Sequence, residues 1–212
     1  MVIGVRSSGS DSGVVRVAIL SDTHGSVDPR ILDVIAACNL AVHGGDIGCP
    51  DVLDSIGLRL QPSAGALLAV RGNNDLPAKW PEPHRPRLSE LPERLEIDLP
   101  GGCLAVIHGH QTPARGRHDR LRRLFPEARA IVYGHSHRLA IDQRADPWVI
   151  NPGAAGRSRT YGGPSCLVLT ATRFGWHVEG HRFAAPSGLR AKAGNNGYHN
   201  EYEREFIRAR LE

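Results

Sequence analysis

The pattern of apolar runs predicts an α/β fold in which two β-sheets pack face to face with helices on the outside. Up to Asp75, short β-branched runs alternate with helical patterns, which is typical of parallel strands joined by helices. Beyond Pro92, short runs separated by turn signals predict a half that is rich in strands. The early strands end in polar residues, as expected where a site lies at the carboxyl edge of a parallel sheet.

The first half contains three predicted strands, at residues 14–20, 40–43 and 66–70. A helix is predicted to include Pro29 in its first turn, where proline is tolerated, because apolar residues follow it at helical spacing. A second, short helix is predicted at residues 51–58.

The second half begins with residues 77–92, which are rich in proline and lack periodicity, so we interpret them as a surface loop. Residues 116–125 form a predicted basic helix. The remaining predicted strands lie at residues 94–99, 103–107, 130–133, 139–143, 148–150, 165–170 and 175–181.

One domain is predicted, at residues 14–183, because a chain of 212 residues fits a single ordinary core. Residues 1–13, rich in Ser and Gly, are predicted to be a flexible tail. Residues 184–212 are predicted to be a linker followed by a short helix at 200–212. That helix either docks on its own domain or binds a partner or a second copy of the chain, which leaves a homo-oligomer open.

The composition narrows the class of protein. The apolar fraction of 41% is that of a globular protein, and no apolar run approaches the ~20 residues of a membrane-spanning helix. With no signal-peptide pattern, a cytoplasmic location without membrane association is predicted. The four scattered cysteines are predicted to be free thiols. The net charge of +4 favours anionic substrates but is too mild to indicate nucleic-acid binding. Nucleic acid is not predicted as a specific partner, because no aromatic and basic stacking platform is evident.

Polar residues follow the three early strands where metal ligands could gather. Asp22 and His24 occupy alternate positions, so their carboxylate and imidazole point to the same side. Asp46 and Asn73 each follow a glycine, which allows the backbone to turn sharply. Each of these patterns alone is common in turns that have no function.

Two histidine pairs follow later strands, His108 with His110 and His135 with His137. A lone histidine at such a position is usually structural, whereas two pairs at strand ends are harder to attribute to chance. Together with the three earlier loops, they provide five loops that carry oxygen and nitrogen ligands in order. The sequence therefore predicts a metal site.

The order of these motifs, D-x-H, G-G-D, G-N-x-D, H-G-H, G-H-S-H and N-P-G, resembles that of the calcineurin-like metallophosphoesterases. It is most similar to their small bacterial and archaeal phosphodiesterase branch, which includes the vacuolar sorting subunit of retromer. The resemblance runs from about Val14 to His181 and leaves both termini unexplained. It implies the family fold, a four-layer αββα sandwich with two mixed sheets.

The resemblance also implies a ligand set for two divalent ions, with Asp46 bridging them. One ion would be bound by Asp22, His24, Asp46 and His137, and the other by Asp46, Asn73, His108 and His135.

Two divalent ions with two carboxylates and neutral Asn and His ligands leave a formal charge of about +2, which suits a phosphodiester and a hydroxide. Mixed oxygen and imidazole ligands favour Mn²⁺, with Fe²⁺, Ni²⁺ and Zn²⁺ as alternatives. The implied function is phosphodiesterase activity on a small phosphate ester, by attack of a metal-activated hydroxide. The alternatives are a phosphomonoesterase, a nucleotide pyrophosphatase or a non-catalytic protein-binding scaffold.

The predicted catalytic residues are Asp46, Asn73 and His110. Many members of the family carry a histidine directly after the motif Asn, but here that position is Asn74, which cannot act as a general acid. Leaving groups that need little protonation are therefore expected. His110 is a substitute acid or a residue that hydrogen-bonds the ligands, and Asp75 is predicted to orient its loop rather than bind metal.

The predicted substrate-binding residues are Asn74, Arg115 and Arg157, with Arg159 as a similar candidate. A solvated helix face is the favoured interpretation of the arginines after His110, and contact with a substrate phosphate is the alternative. For the histidine before the Gly-Gly-Asp turn, His43, a structural role or a role in supporting the metal ligands is predicted.

Overall fold

A computed structural model of the chain describes residues 2–4, for which only the backbone is considered, 13–60 and 66–185. The strands are β1 (Val2–Gly4), β2 (Val15–Leu20), β3 (Leu40–His43), β4 (Leu67–Ala69), β5 (Arg94–Leu99), β6 (Gly102–Ile107), β7 (Ala130–Tyr133), β8 (Leu139–Asp142), β9 (Trp148–Pro152), β10 (Ser165–Ala171) and β11 (Trp176–Arg182). The helices are α1 (Pro29–Ile35), α2 (Pro50–Gly57), α3 (Arg85–Glu90) and α4 (Arg117–Leu124), with 3₁₀ turns at Pro77–Lys79 and Glu82–His84.

The described strands form two mixed sheets. A six-stranded sheet has the order β1-β5-β6-β7-β9-β8, and a five-stranded sheet has the order β11-β10-β2-β3-β4. Within the five-stranded sheet, β2, β3 and β4 run parallel. Within the six-stranded sheet, β6, β7 and β9 run parallel. Each sheet therefore contains one set of parallel strands whose carboxyl ends lie along the same edge of that sheet.

Alternation along the strands divides the core into layers. In β2, Val17 and Ile19 lie in the cluster between the two sheets, whereas Ala18 and Leu20 face the cluster that holds α1 and α2. In β6 and β7 the same alternation separates the central cluster from an outer one that contains Leu121 of α4. The result is helix, sheet, sheet, helix, which confirms the predicted four-layer αββα sandwich.

The predicted surface loop at residues 77–92 is wrong. It contains two 3₁₀ turns and α3, and it buries Trp80 and Leu88 in the cluster on the outer face of the five-stranded sheet. Three prolines stand in the first turns of these elements, where a missing N–H costs no hydrogen bond. Proline thus begins short helices here rather than preventing them.

Part of the predicted flexible tail belongs to the fold. Val2–Gly4 forms a strand that pairs in parallel with β5, so that Ile3 lies opposite Ile97. Pairing with the edge of the sheet satisfies backbone groups that a free tail would leave to water. The rest of the tail up to residue 12 lies outside the described residues. So do the predicted linker beyond residue 185 and the predicted helix at 200–212.

Two further observations bear on the sequence predictions. All four cysteines are free thiols, as predicted. Among the described residues, no helix is long and apolar enough to cross a membrane.

Candidate metal centre

The loops that carry the predicted ligands meet at one edge of the sandwich because parallel strands end side by side. In the five-stranded sheet, the amide of Asp22 donates to the carbonyl of Gly45 at 3.0 Å, and the amide of His24 donates to the carbonyl of Asp46 at 3.0 Å. In the six-stranded sheet, the amide of Gly134 donates to the carbonyl of His108 at 3.0 Å. Each pair of loops is thus aligned by backbone hydrogen bonds beyond the strand ends.

A hydrogen bond to a buried carboxylate joins the two sheets at this edge. The amide of His135, after β7, donates to Oδ2 of Asp22, after β2, at 2.9 Å. The amide of Ala155 adds a second connection by donating to the carbonyl of Ser21 at 2.9 Å. Asp22 therefore positions the G-H-S-H loop of the opposite sheet.

A first group of ligand atoms consists of Asp22, His24 and His137, whose donor atoms all lie within 4.8 Å of one another. Nε2 of His24 is 3.2 Å from Nε2 of His137, and Nε2 of His137 is 3.3 Å from Oδ1 of Asp22. Ligand atoms that share one ion at ~2.0–2.1 Å lie about 3 Å apart. These spacings fit the coordination of a divalent ion.

A second group forms around Asp46 and His108, with Asp22 also in range. Nε2 of His108 lies 3.4 Å from Oδ1 of Asp46 and 3.2 Å from Oδ1 of Asn73. Nδ1 of His135 lies 3.1 Å from the same oxygen of Asn73. The other carboxylate oxygen of Asp46 faces Nε2 of His24 at 3.8 Å, so Asp46 lies between the two groups.

The imidazole of His108 is oriented by the backbone. Its Nδ1 lies 2.8 Å from the carbonyl of Gly44, which can only accept, so Nδ1 carries a proton whether the ring is neutral or charged. Nε2 is left to face the oxygens of Asp46 and Asn73. A ligand histidine held by a carbonyl through its other nitrogen is the arrangement found at metal sites in general.

The backbone at the site is concentrated in the left-handed region, which L-residues other than glycine seldom adopt. Among non-glycine residues, positive φ occurs at five of the seven predicted ligands, Asp22 (55°), His24 (46°), Asp46 (55°), His135 (64°) and His137 (58°). Each costs on the order of 1 kcal/mol or more, and such strain persists where a functional geometry requires it.

The pKa values of the two carboxylates of the site are shifted in opposite directions. Burial raises the pKa of Asp22 to about 7, against the opposing charge of His108. For Asp46, burial acts in the same direction but is outweighed by hydrogen bonds from His108 and Asn74, which hold its pKa below the usual range. Metal-free Asp22 therefore retains a proton at slightly acidic pH, whereas Asp46 is ionised.

The histidines of the site also differ from one another in their pKa values. Burial and the positive charge of Arg159 lower the pKa of His137 to about 4. Burial lowers that of His24 as well. For His108, burial is outweighed by the carboxylates of Asp46 and Asp22, which raise its pKa. His24 and His137 are thus neutral at pH 7 and offer their nitrogen lone pairs.

Two residues beside the ligands act as sequence analysis predicted. Asp75 accepts from the amides of Gly72 at 2.9 Å and Gly48 at 3.0 Å, so it ties two loops together instead of facing the donor groups. His43 is fully buried and contacts the Thr23 hydroxyl at 3.0 Å and the Gly45 amide at 3.1 Å. Both are structural.

Asn74 contacts the carboxylate that lies between the two donor groups. Its backbone amide donates to Oδ1 of Asp46 and its side-chain amide donates to Oδ2, both at 2.8 Å. Lys79 donates to its carbonyl oxygen at 3.1 Å. The structure thus shows Asn74 as the residue that orients Asp46; its predicted substrate contact is untested.

His110 is exposed at the mouth of the site, with its ring centroid 5.4 Å from that of His108 and 6.2 Å from that of His135. Partial loss of hydration and the charge of His108 lower the pKa of His110. A histidine that is mostly neutral at pH 7 is a poor reserve of protons. Its predicted role as a substitute acid stays a prediction.

The predicted arginines occupy different places. Arg115 is exposed, and its carbonyl accepts from Arg120 at 3.2 Å. Arg157 is exposed. The pKa of Asp28 is lowered mainly by hydrogen bonds from Arg30, and the charge of Arg157 adds to this effect. Arg159 reaches the donor groups, with Nη2 2.9 Å from Nε2 of His24. Of the arginines after the N-P-G turn, Arg159 is therefore the one that contacts a predicted ligand.

The sequence did not predict a set of hydrogen-bonded side chains next to the G-H-S-H loop. Nδ1 of His118, in α4, lies 2.6 Å from Oδ2 of Asp142, and its Nε2 lies 3.1 Å from the Tyr133 hydroxyl. Asn151 donates to the carbonyl of Gly134 at 2.9 Å and to the hydroxyl of Ser136 at 3.0 Å. His118 stands in a run of arginines, and no sequence signal marked it as different from a solvated residue.

Comparison with known proteins agrees with this geometry. The family model of the calcineurin-like phosphoesterase superfamily domain matches residues 15–173. The chain belongs to this superfamily. The family resemblance inferred from the loop motifs is thereby confirmed.

Similar proteins come from archaea and eukaryotes. A protein named probable metallophosphoesterase from Methanothermobacter thermautotrophicus is 29% identical over 160 residues, which are 72% of this chain and 84% of that protein. The crystal structure of Vps29 from Chaetomium thermophilum superposes with a TM-score of 0.62 at 16% identity, covering 81% of this chain and 100% of that one. A structure described as a novel archaeal phosphodiesterase gives a TM-score of 0.57 at 20% identity, covering 78% and 99%. The two structures confirm the fold.

Gly134 allows the two sheets to approach at the site. A Cβ at this position would overlap the hydroxyl of Ser21 and lie 2.8 Å from Oδ2 of Asp22. We expect Gly134→Ala to lower the free energy of unfolding by about 1–3 kcal/mol, the usual cost of overpacking. Urea denaturation measures this loss. Gly175→Ala is the matched control, because a Cβ there meets no atom within 4 Å. Equal stability of the two variants would contradict the close approach.

Proposed function

We propose that the chain is a phosphodiesterase that requires two divalent metal ions. The observation that carries the proposal is the position of Asp46, whose two carboxylate oxygens face His108 at 3.4 Å and His24 at 3.8 Å. A carboxylate between two groups of nitrogen and oxygen donors suits a bridging ligand. Membership of the phosphoesterase superfamily supports hydrolysis of phosphate esters as the reaction.

The ligand assignment proposed here is the one that the resemblance implies. One ion would be held by Asp22, His24, Asp46 and His137, and the other by Asp46, Asn73, His108 and His135. The donors are imidazole, carboxylate and amide groups without thiolate, which favours Mn²⁺, with Fe²⁺, Ni²⁺ and Zn²⁺ as alternatives. Such ions, when bound, lower the pKa of water and neutralise charge on the phosphate oxygens.

The residues of the chain support this chemistry by position and charge. The carbonyl of Gly44 orients His108, and Asn74 holds Asp46 through both carboxylate oxygens. Arg159 carries a positive charge at the rim, 2.9 Å from His24, where a phosphate oxygen could accept from its guanidinium. Substrate binding is thus assigned to Arg159 in addition to the predicted Asn74, Arg115 and Arg157.

A diester is favoured over a monoester because the site offers little to protonate a leaving group. Asn74 occupies the position where many relatives have histidine, and its side-chain amide donates to Asp46. The similar archaeal structure that is described as a phosphodiesterase agrees with this choice. Hydrolysis of a monoester, the alternative, would use the same residues.

Replacement of Asp46 tests the proposal directly. After reconstitution with Mn²⁺, we expect Asp46→Asn to lower kcat/KM for bis(4-nitrophenyl) phosphate by at least about 100-fold, because loss of a metal-site carboxylate removes both affinity and orientation. Asp33→Asn, at a carboxylate whose side chain is 71% exposed, is the matched control. Equal rates for the two variants would exclude an enzymatic role for the site, and faster hydrolysis of 4-nitrophenyl phosphate would replace the diesterase by a monoesterase.

The absence of a histidine at position 74 predicts a steep dependence on the leaving group. Rates should rise as the pKa of the departing alcohol falls, because Asn74 cannot protonate it. Asn74→His should accelerate diesters of poor leaving groups, such as alkyl alcohols, more than 4-nitrophenyl diesters. Asn74→Gln, which supplies no acid, is the control. If Asn74→His changes the rates for alkyl and 4-nitrophenyl diesters by the same factor, another group already acts as the acid.

Metal binding should release protons near neutral pH. Asp22, with a pKa of about 7, and His108, with a raised pKa, must both lose protons to bind an ion. The apparent affinity for Mn²⁺ therefore falls as the pH is lowered below 7. Calorimetric titrations at pH 6.5 in two buffers of different ionisation enthalpy measure the released protons, with Asp33→Asn as control. Heats that do not depend on the buffer would contradict the protonation of Asp22 and His108.

A further inference from the structure

An aromatic side chain lies at the rim beside the proposed phosphate contact. Tyr161 is 51% exposed, although it is large and apolar. It follows Arg159 by two residues, so their Cα atoms are at most about 7 Å apart. Arg159 itself reaches His24 at 2.9 Å. Tyr161 therefore lies on the same short loop segment as the arginine that contacts a predicted ligand.

The ring of Tyr161 is held from one side by a second arginine. Cζ of Arg138 lies 4.2 Å from the ring centroid, in a cation–π arrangement. Arg138 directly follows His137, which is buried and belongs to the first donor group. The stacked pair thus connects the G-H-S-H loop with the loop after the N-P-G turn.

The backbone fixes the loop that carries Tyr161. Arg159 adopts a left-handed conformation with φ of 55°, and the two residues after Tyr161, Gly162 and Gly163, have φ of 84° and 106°. A Cβ at Gly163 would overlap the carbonyl of Phe183. The two glycines adopt these angles without strain, and the strained position is Arg159, which the surrounding structure holds in an uncommon conformation.

Two arginines at this rim have no carboxylate partner in the part of the chain that the structure describes. Within the described residues, the guanidinium groups of Arg138 and Arg159 have no carboxylate within ion-pair distance. A half-exposed aromatic ring beside unpaired cations and a phosphate site matches the chemistry of a nucleotide, in which a flat base is joined to a phosphate through a sugar.

We propose that Arg159, Arg138 and Tyr161 form a subsite that binds the nucleoside part of a phosphodiester substrate. Arg159 contacts the phosphate, and a nucleobase stacks on the face of Tyr161 opposite Arg138. This inference rests on the proposed phosphodiesterase function and specifies its substrate class. Stacking would select substrates by their flat base without selecting one base.

Binding measurements test the subsite separately from catalysis. By calorimetry, the Mn²⁺-loaded full chain is titrated with thymidine 5′-monophosphate and with inorganic phosphate, and the ratio of the two affinities is compared among variants. Tyr161→Ala should lower this ratio about ten-fold, within the range observed when a stacking aromatic is removed. Tyr161→Phe, which keeps the ring, should retain it. Arg159→Gln should weaken the binding of both ligands.

The matched control is Phe174→Ala. Phe174 is 84% exposed and carries Arg173 over its ring at 4.4 Å, but it lies in the turn between β10 and β11. Its replacement should leave the ratio unchanged. An unchanged ratio in Tyr161→Ala, with a melting temperature equal to that of the native chain, would overturn the subsite.

Hydrolysis distinguishes failure of the subsite from failure of the proposed function. The 4-nitrophenyl 5′-phosphodiesters of thymidine and of 1,2-dideoxyribose have the same leaving group and differ only by the base. A lower KM for the thymidine diester that depends on Tyr161 supports the subsite. Hydrolysis of both diesters with equal KM would overturn the subsite and leave the phosphodiesterase standing. Binding of the nucleotide that depends on Tyr161, without hydrolysis of either diester, would contradict the phosphodiesterase alone.

Discussion

Parallel pairing of β2 with β3, and of β6 with β7, is the constraint on which the site depends. Strands that run parallel end at the same edge, so each pair delivers two polar loops there. The packing of the two sheets across a shared apolar core then brings the two edges together. The bond from the amide of His135 to Asp22 joins them at 2.9 Å. A shift in either sheet would separate donors that now lie within 4.8 Å of one another.

This arrangement is costly without a ligand. Asp22 and His108 are buried, and five predicted ligands have left-handed backbone. Buried polar groups are retained when they are paired with one another or with a metal ion. A pair of divalent ions would neutralise the carboxylates and bind the neutral imidazoles of His24 and His137. The same groups that destabilise the metal-free chain would then bind the ions, which links metal affinity to folding.

The interior and the rim of the site serve different purposes. The donor atoms are set by backbone hydrogen bonds, as Gly44 orients His108 and Asn74 orients Asp46. The rim is formed by exposed side chains, with Arg159 nearest to the donors. A chemistry shared by a superfamily could therefore be combined with a substrate preference particular to one chain, because a change at the rim need not disturb the hydrogen bonds that hold the donor atoms.

The sequence by itself determined the α/β class and most strand positions, because alternation is a local signal. Polar strand ends and the family resemblance together predicted the seven ligands. It failed at residues 77–92, where buried Trp80 and Leu88 carry no periodic pattern and pack only because a sheet face is available. The tertiary structure alone decided that Arg159 rather than Arg157 contacts a donor group, and that His118 supports Tyr133. These contacts join residues far apart in the chain, so their distances depend on sheet packing and have no counterpart in sequence spacing.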